Sequence, residues 1–144
     1  MYEEIIESLL KFFAIVTDYD DNKTSEHASQ NVNSYLEENF SREQVEKYMA
    51  LYYNFVHYYH IENKELLYKE EGNGEKFINK KYIKKICKGI VDQYDLGTRF
   101  MIVVQLLNFI YKDGTTSAHD KEIVDIVAKG VKIKSREYKD LSRF

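Results

Sequence analysis

Leu96-Gly97-Thr98-Arg99-Phe100-Met101-Ile102-Val103-Val104-Gln105-Leu106-Leu107-Asn108-Phe109-Ile110-Tyr111-Lys112, followed by Asp113-Gly114-Thr115-Thr116-Ser117-Ala118-His119-Asp120, decides how this chain is read. The first seventeen residues are apolar almost all the way round, which predicts a central helix over about 96–112. Asp113 to Thr116 is a turn by composition. Ser117 then caps a further helix, with Asp120 three residues on as an acid in its first turn. Ile123, Val124, Val127 and Val131 give that helix its inward stripe.

The same period runs through the rest of the chain. Ile5, Ile6, Leu9, Leu10, Phe13 and Val16 predict a first helix over about 3–17. Thr24 or Ser25 can cap a second helix that buries Ala28, Val32, Tyr35 and Leu36. Ser41-Arg42-Glu43-Gln44 is a capping box, and the third helix runs from it to about His60. A fourth begins at Asn79, with Ile83, Ile86, Cys87, Ile90, Val91 and Tyr94 on one side. Ser135 starts a short seventh with Tyr138 and Leu141. Between the third and fourth lies a charged, glycine-punctuated segment, about 62–78, that reads as a mobile loop. No sheet is expected.

Composition agrees. Proline is absent from the 144 residues, where ordinary usage predicts roughly seven. Proline breaks helix interiors and sits at turns and strand edges, so its absence suits an all-α chain. One cysteine, Cys87, allows neither an internal disulfide nor a thiolate metal site. The N-terminus is acidic where a secretory signal is basic, and the apolar run Phe100 to Ile110 is too short to span a bilayer. The chain reads as cytoplasmic. Its net charge of −3 is unevenly placed: residues 1–60 carry 4 basic and 11 acidic groups, net −7, and residues 61–144 carry 17 and 13, net +4. Such a balance can steer partners but does not suggest nucleic-acid binding.

The two ends of the chain look alike. Each has an apolar helix, an Asp-containing turn, a Ser cap, an amphipathic helix and then Ser-Arg-Glu, at 41–43 and at 135–137. Aligning Ser25 with Ser117 also places Asp21 on Asp113 and Val32 on Val124. A duplicated helical hairpin about a pseudo-twofold axis is the natural reading. The run Asp113-Gly114-Thr115-Thr116-Ser117-Ala118-His119-Asp120 resembles the DG-x-x-S-x-x-E/D signature of the TerB-like (tellurite-resistance) family. The stretch from Ile86-Cys87-Lys88 to Asp113-Gly114 is most similar to the TerB-like domains at the N-terminus of some bacterial ABC-type ATPases. In the first copy Asn22 stands in the glycine's place and Ala28 in the acid's. The resemblance covers nearly the whole chain and implies one all-α domain over 1–144, a bundle of about seven helices with two related turns. It further implies an accessory or interaction domain without enzymatic activity. Such a domain would belong to a membrane-linked stress-response assembly or to an attached ATPase beyond residue 144.

Candidate sites are few. Asp18 to Asn22 starts like a calcium loop, but Lys23 replaces the turn glycine and Ser29 the final bidentate acid, so an EF-hand is rejected. A looser divalent-cation site is the alternative function, drawing its oxygens from Asp20 and Asp21 in one copy and Asp113 and Asp120 in the other. Against it stands a capping role for the same acids. His57 and His60 are one turn apart but lack further ligands in sequence. Cys87 sits on an apolar stripe, as a small core residue does. No catalytic constellation and no phosphate loop is present, and no cofactor is called for. Lys80, Lys81, Lys84, Lys85 and Lys88 form the sharpest charge feature, opposite Ile83, Ile86 and Ile90. They are either a solvated face or a contact for an acidic protein partner or an anionic membrane surface. The tyrosines at 52, 53, 58 and 59 are candidates for a protein interface.

Overall fold

Helix α1 (Tyr2–Val16) shows how the apolar content is used. From Ile5 to Val16 every residue except Glu7, Ser8 and Lys11 is buried. Phe12 and Ile15, which lie off the predicted stripe, are as covered as Phe13. The computed structural model describes residues 2–17, 19–20, 23–70, 72, 76–112 and 117–134. The protein is all-α, with seven α-helices among the described residues.

The chain gathers into two compact units, Met1–Lys64 and Glu65–Phe144. In the first, α1 is followed by a two-residue antiparallel ladder, β1 (Tyr19–Asp20) with β2 (Lys23–Thr24), then α2 (Glu26–Asn39) and α3 (Arg42–His57). Helices α1 and α3 pack together. Ser41 and Gln44 close the capping box: the Gln44 N–H donates to Ser41 Oγ at 3.4 Å, and the Ser41 N–H to Gln44 Oε1 at 3.1 Å. Beyond His57 the helix widens into a π-helical turn, Tyr58–Glu62, where the sequence predicts α-helix to about His60.

Two expectations differ from the structure. The charged segment about 62–78 is not a featureless loop: it holds the end of the π turn, a short helix α4 (Lys64–Leu67) and an antiparallel ladder of β3 (Tyr68–Glu70) with β4 (Lys76–Ile78). The expected absence of sheet therefore fails at two short hairpins, because cross-strand pairs such as Lys69 with Phe77 need only local closure. Helices α5 (Lys80–Gln93), α6 (Leu96–Tyr111) and α7 (Ala118–Gly130) follow, and α7 packs on both α5 and α6. The helix predicted from Ser135 lies outside the described residues. α4 brings the count to seven in its stead.

A repeat appears at a spacing of 54 residues. In each unit a hairpin ends one residue before a 14-residue helix, two residues follow, and a 16-residue helix begins. The linking pair is an extended aromatic and then a capping residue, Phe40-Ser41 in one unit and Tyr94-Asp95 in the other. Asp95 accepts from the Thr98 N–H at 2.9 Å. Four buried positions correspond as well: Leu36 with Ile90, Tyr48 with Ile102, Tyr52 with Leu106, Val56 with Ile110. The sequence pairing of Ser25 with Ser117 has its own local counterpart. Each Ser Oγ accepts from the amide three residues on, Ala28 at 3.4 Å and Asp120 at 3.0 Å.

Candidate docking face on helix α5

Helix α5 is two-sided for a simple reason of spacing. Ile83, Cys87 and Ile90 recur at helical intervals and are buried. Lys80, Lys81, Lys84, Lys85 and Lys88 are thereby turned outward, and all five are exposed. At 1.5 Å per residue the stripe from Lys80 to Lys88 is about 12 Å long. None of the five pairs with a carboxylate among the described residues of its own unit.

The helix start is unusual for so much positive charge. Its first turn holds no acid, and the Asn79 side chain makes no capping bond. Asn79 is engaged elsewhere: its N–H donates to the Leu67 carbonyl at 2.6 Å and its Nδ2 to the Glu65 carbonyl at 3.3 Å. Ammonium groups at a helix N-terminus oppose the helix dipole, by about 0.3–1 kcal/mol each. The matching helix α2 carries Ser25 as a working cap, Glu26 in its first turn and neither Lys nor Arg.

Cys87, on the hidden side of α5, is a core residue. Burial pushes its thiol up to about 12, and Sγ faces the Val127 carbonyl at 3.7 Å. A thiol so placed is protonated at neutral pH and is no nucleophile.

The acidic turns are only partly in view. Asp21 and Asp113 lie outside the described residues, and Asp20 falls in β1. Asp120 stands in the first turn of α7, and its Oδ1 is 3.8 Å from His119 Nδ1. The other ring nitrogen, His119 Nε2, is 3.0 Å from the Tyr68 hydroxyl, with the two rings stacked 5.7 Å apart. This Asp120–His119–Tyr68 run joins α7 to β3. Its two aromatic members are 51 residues apart and share no motif, so no local pattern signals it. Among the described residues no three His, Cys, Asp or Glu side chains are grouped to hold a metal ion.

His57 and His60 do not converge. His57 Nδ1 meets Glu62 Oε1 at 2.7 Å, whereas His60 Nε2 reaches the Ala14 carbonyl at 2.8 Å. The tyrosine stripe divides in the same region: Tyr52 and Tyr59 are core, and Tyr53 and Tyr58 are exposed, as is Ile61. A feature missed in sequence is Phe77, 48% exposed on β4 just before the lysine helix. Among the described residues no helix is long and apolar enough to cross a membrane. No family model, curated protein or solved structure matches this chain.

Proposed function

We propose that this chain is a non-enzymatic TerB-like accessory domain that docks on an anionic partner through the lysine face of α5. The observation that carries the reading is the contrast between the two 14-residue helices. The same hairpin–helix–helix module is built in the first unit without one Lys or Arg on α2. Five exposed lysines on α5 are therefore no requirement of the fold, and Lys80 and Lys81, in its first turn, work against the local helix dipole. Charge held at a cost to stability is best explained by what it meets. The resemblance at Asp113–Asp120 supplies the setting: a cytoplasmic module of a membrane-linked stress-response assembly, or one attached to an ATPase. A net charge of −3 makes nucleic acid a poor counterpart.

A photo-crosslinking residue placed at Lys84 in the protein in its own cells tests the docking. Gln30, exposed at the matching position of α2, is the control. Adducts at 84 that are absent at 30, and that fall away when Lys81 and Lys88 become Glu, are the expected result. Equal labelling at both positions, or none at 84, overturns the reading.

A further inference from the structure

The anionic partner has a chemistry that the face itself indicates. We infer that the α5 face binds an anionic lipid bilayer, with Phe77 entering the interface beside the lysines. The inference rests on the docking reading above and names its partner.

Three observations carry it. First, every cation of the face is lysine: Lys80, Lys81, Lys84, Lys85 and Lys88, joined by exposed Lys69 on β3. Lysine is a strongly hydrated point charge without the planar fork that recognises one carboxylate bidentately. It is depleted in protein–protein interfaces and is characteristic of surfaces that meet anionic lipid headgroups. Second, an apolar ring accompanies the charge. Phe77 is 48% exposed and stands directly opposite Lys69 in the β3–β4 ladder. Residues so paired have Cα atoms about 5 Å apart and project to the same side. Phe77 is also three residues from Lys80, so the chain holds the two within about 11 Å. A half-exposed aromatic beside clustered lysines is the pattern of a segment that lies in a membrane interface. Third, the lysines lie along one continuous 14-residue helix, which presents a row of charges to a flat surface. An acidic protein segment is the competing occupant.

The chain has no tryptophan, so Phe77→Trp makes a single-site reporter. The measurement is titration with vesicles of phosphatidylcholine alone and of phosphatidylcholine with phosphatidylglycerol, and in parallel with poly-glutamate. Expected are a blue-shifted emission and quenching by brominated lipid with the anionic vesicles only, reversed by high salt. Each of Lys81→Gln, Lys84→Gln and Lys88→Gln should lower partitioning about fivefold. Phe77→Ala in the otherwise native chain should lower it about tenfold at every salt concentration without altering the helical circular dichroism. Binding to poly-glutamate but not to vesicles overturns the bilayer and leaves the docking face standing. Binding to neither removes both. Vesicle association without an emission shift removes the role of Phe77.

Discussion

The Thr17 hydroxyl lies 2.8 Å from the Tyr52 hydroxyl, joining the end of α1 to the middle of α3 inside the first unit. Thr17 Oγ1 also donates to the Phe13 carbonyl at 2.6 Å, which uses its one hydrogen. Tyr52 is therefore the donor of the pair. The two ends respond unequally to deletion. Tyr52→Phe removes a donor and leaves Thr17 still bonded to Phe13, a loss of about 1 kcal/mol. Thr17→Val keeps the shape but strands a buried phenol, at about 1–3 kcal/mol. Urea unfolding of the two variants should show Thr17→Val as the weaker protein. The reverse order would exclude this donor assignment.

Gly130 is a glycine because α5 and α7 meet there. A Cβ built on it falls 2.7 Å from both Cβ and Sγ of Cys87. On an open helix surface Gly→Ala stabilises by roughly 0.5–1 kcal/mol. Here Gly130→Ala should destabilise by about 1–3 kcal/mol, because α5 or α7 must shift to admit the methyl group. Cys87→Ala in the same chain should restore only part of the loss, since it removes the sulfur and leaves the close Cβ. Thermal denaturation of the single and double variants measures both effects.

Helix α7 ends in a Schellman motif with an unsuitable residue at its centre. The Ile133 N–H bonds the Ala128 carbonyl at 2.9 Å and the Lys132 N–H the Lys129 carbonyl at 3.1 Å. Lys132 takes φ of 62°, the left-handed region in which a Cβ is strained. Ile133 is buried and Arg99 Nη1 donates to the Val131 carbonyl at 2.8 Å, which hold the chain in that turn. Lys132→Gly should raise stability by about 0.5–1 kcal/mol, read as a higher midpoint in urea with an unchanged slope. An unchanged or lower midpoint would argue against strain at this position.

The helices were legible because their signals are local. Ser41 with Gln44 and Ser117 with Asp120 announce helix starts within four residues, and both caps are formed. The lysine face was equally plain, being set by the spacing of Ile83, Cys87 and Ile90. What escaped depends on distance or on burial. The ladder of β3 with β4 pairs charged residues such as Glu70 with Lys76, which have no strand composition. The 54-residue repeat keeps element lengths and some buried positions, Tyr52 and Leu106 for example, but not the residues there, and exposed Tyr53 answers to buried Leu107. Tyr68 with His119 and His60 with Ala14 are long-range bonds that no spacing encodes.

Two buried protons make the fold sensitive to alkali. Burial raises the Cys87 thiol from 9.0 to about 12, and burial also raises the Tyr52 phenol above its ordinary 10.0. Both groups hold their proton more tightly when folded. Their contribution is complete below pH 9 and is lost as pH rises past the unfolded values. Stability measured by urea should fall progressively between about pH 9 and 12, less so in Cys87→Ala. At pH 8 the native thiol should resist an aromatic disulfide reagent and react at the rate of unfolding. Immediate stoichiometric reaction would contradict its burial.

Divalent cations separate the docking reading from the alternative of a cation-binding module. A ligand at ~100 times its Kd adds roughly 2.7 kcal/mol to the folded state, several degrees in Tm for a chain of this size. Monovalent salt at equal ionic strength reproduces screening and nothing more. Asp120 has local work to do: it begins α7, where a carboxylate stabilises the helix start, and its Oδ1 is 3.8 Å from His119. In the first copy Ala28 occupies the matching place and offers no oxygen from its side chain. Ca²⁺, Mg²⁺ and Zn²⁺ should therefore shift Tm no further than matched monovalent salt, and Asp120→Asn should lower Tm with or without them. A divalent-specific rise that Asp113→Ala or Asp21→Ala abolishes would replace the docking domain with a cation site.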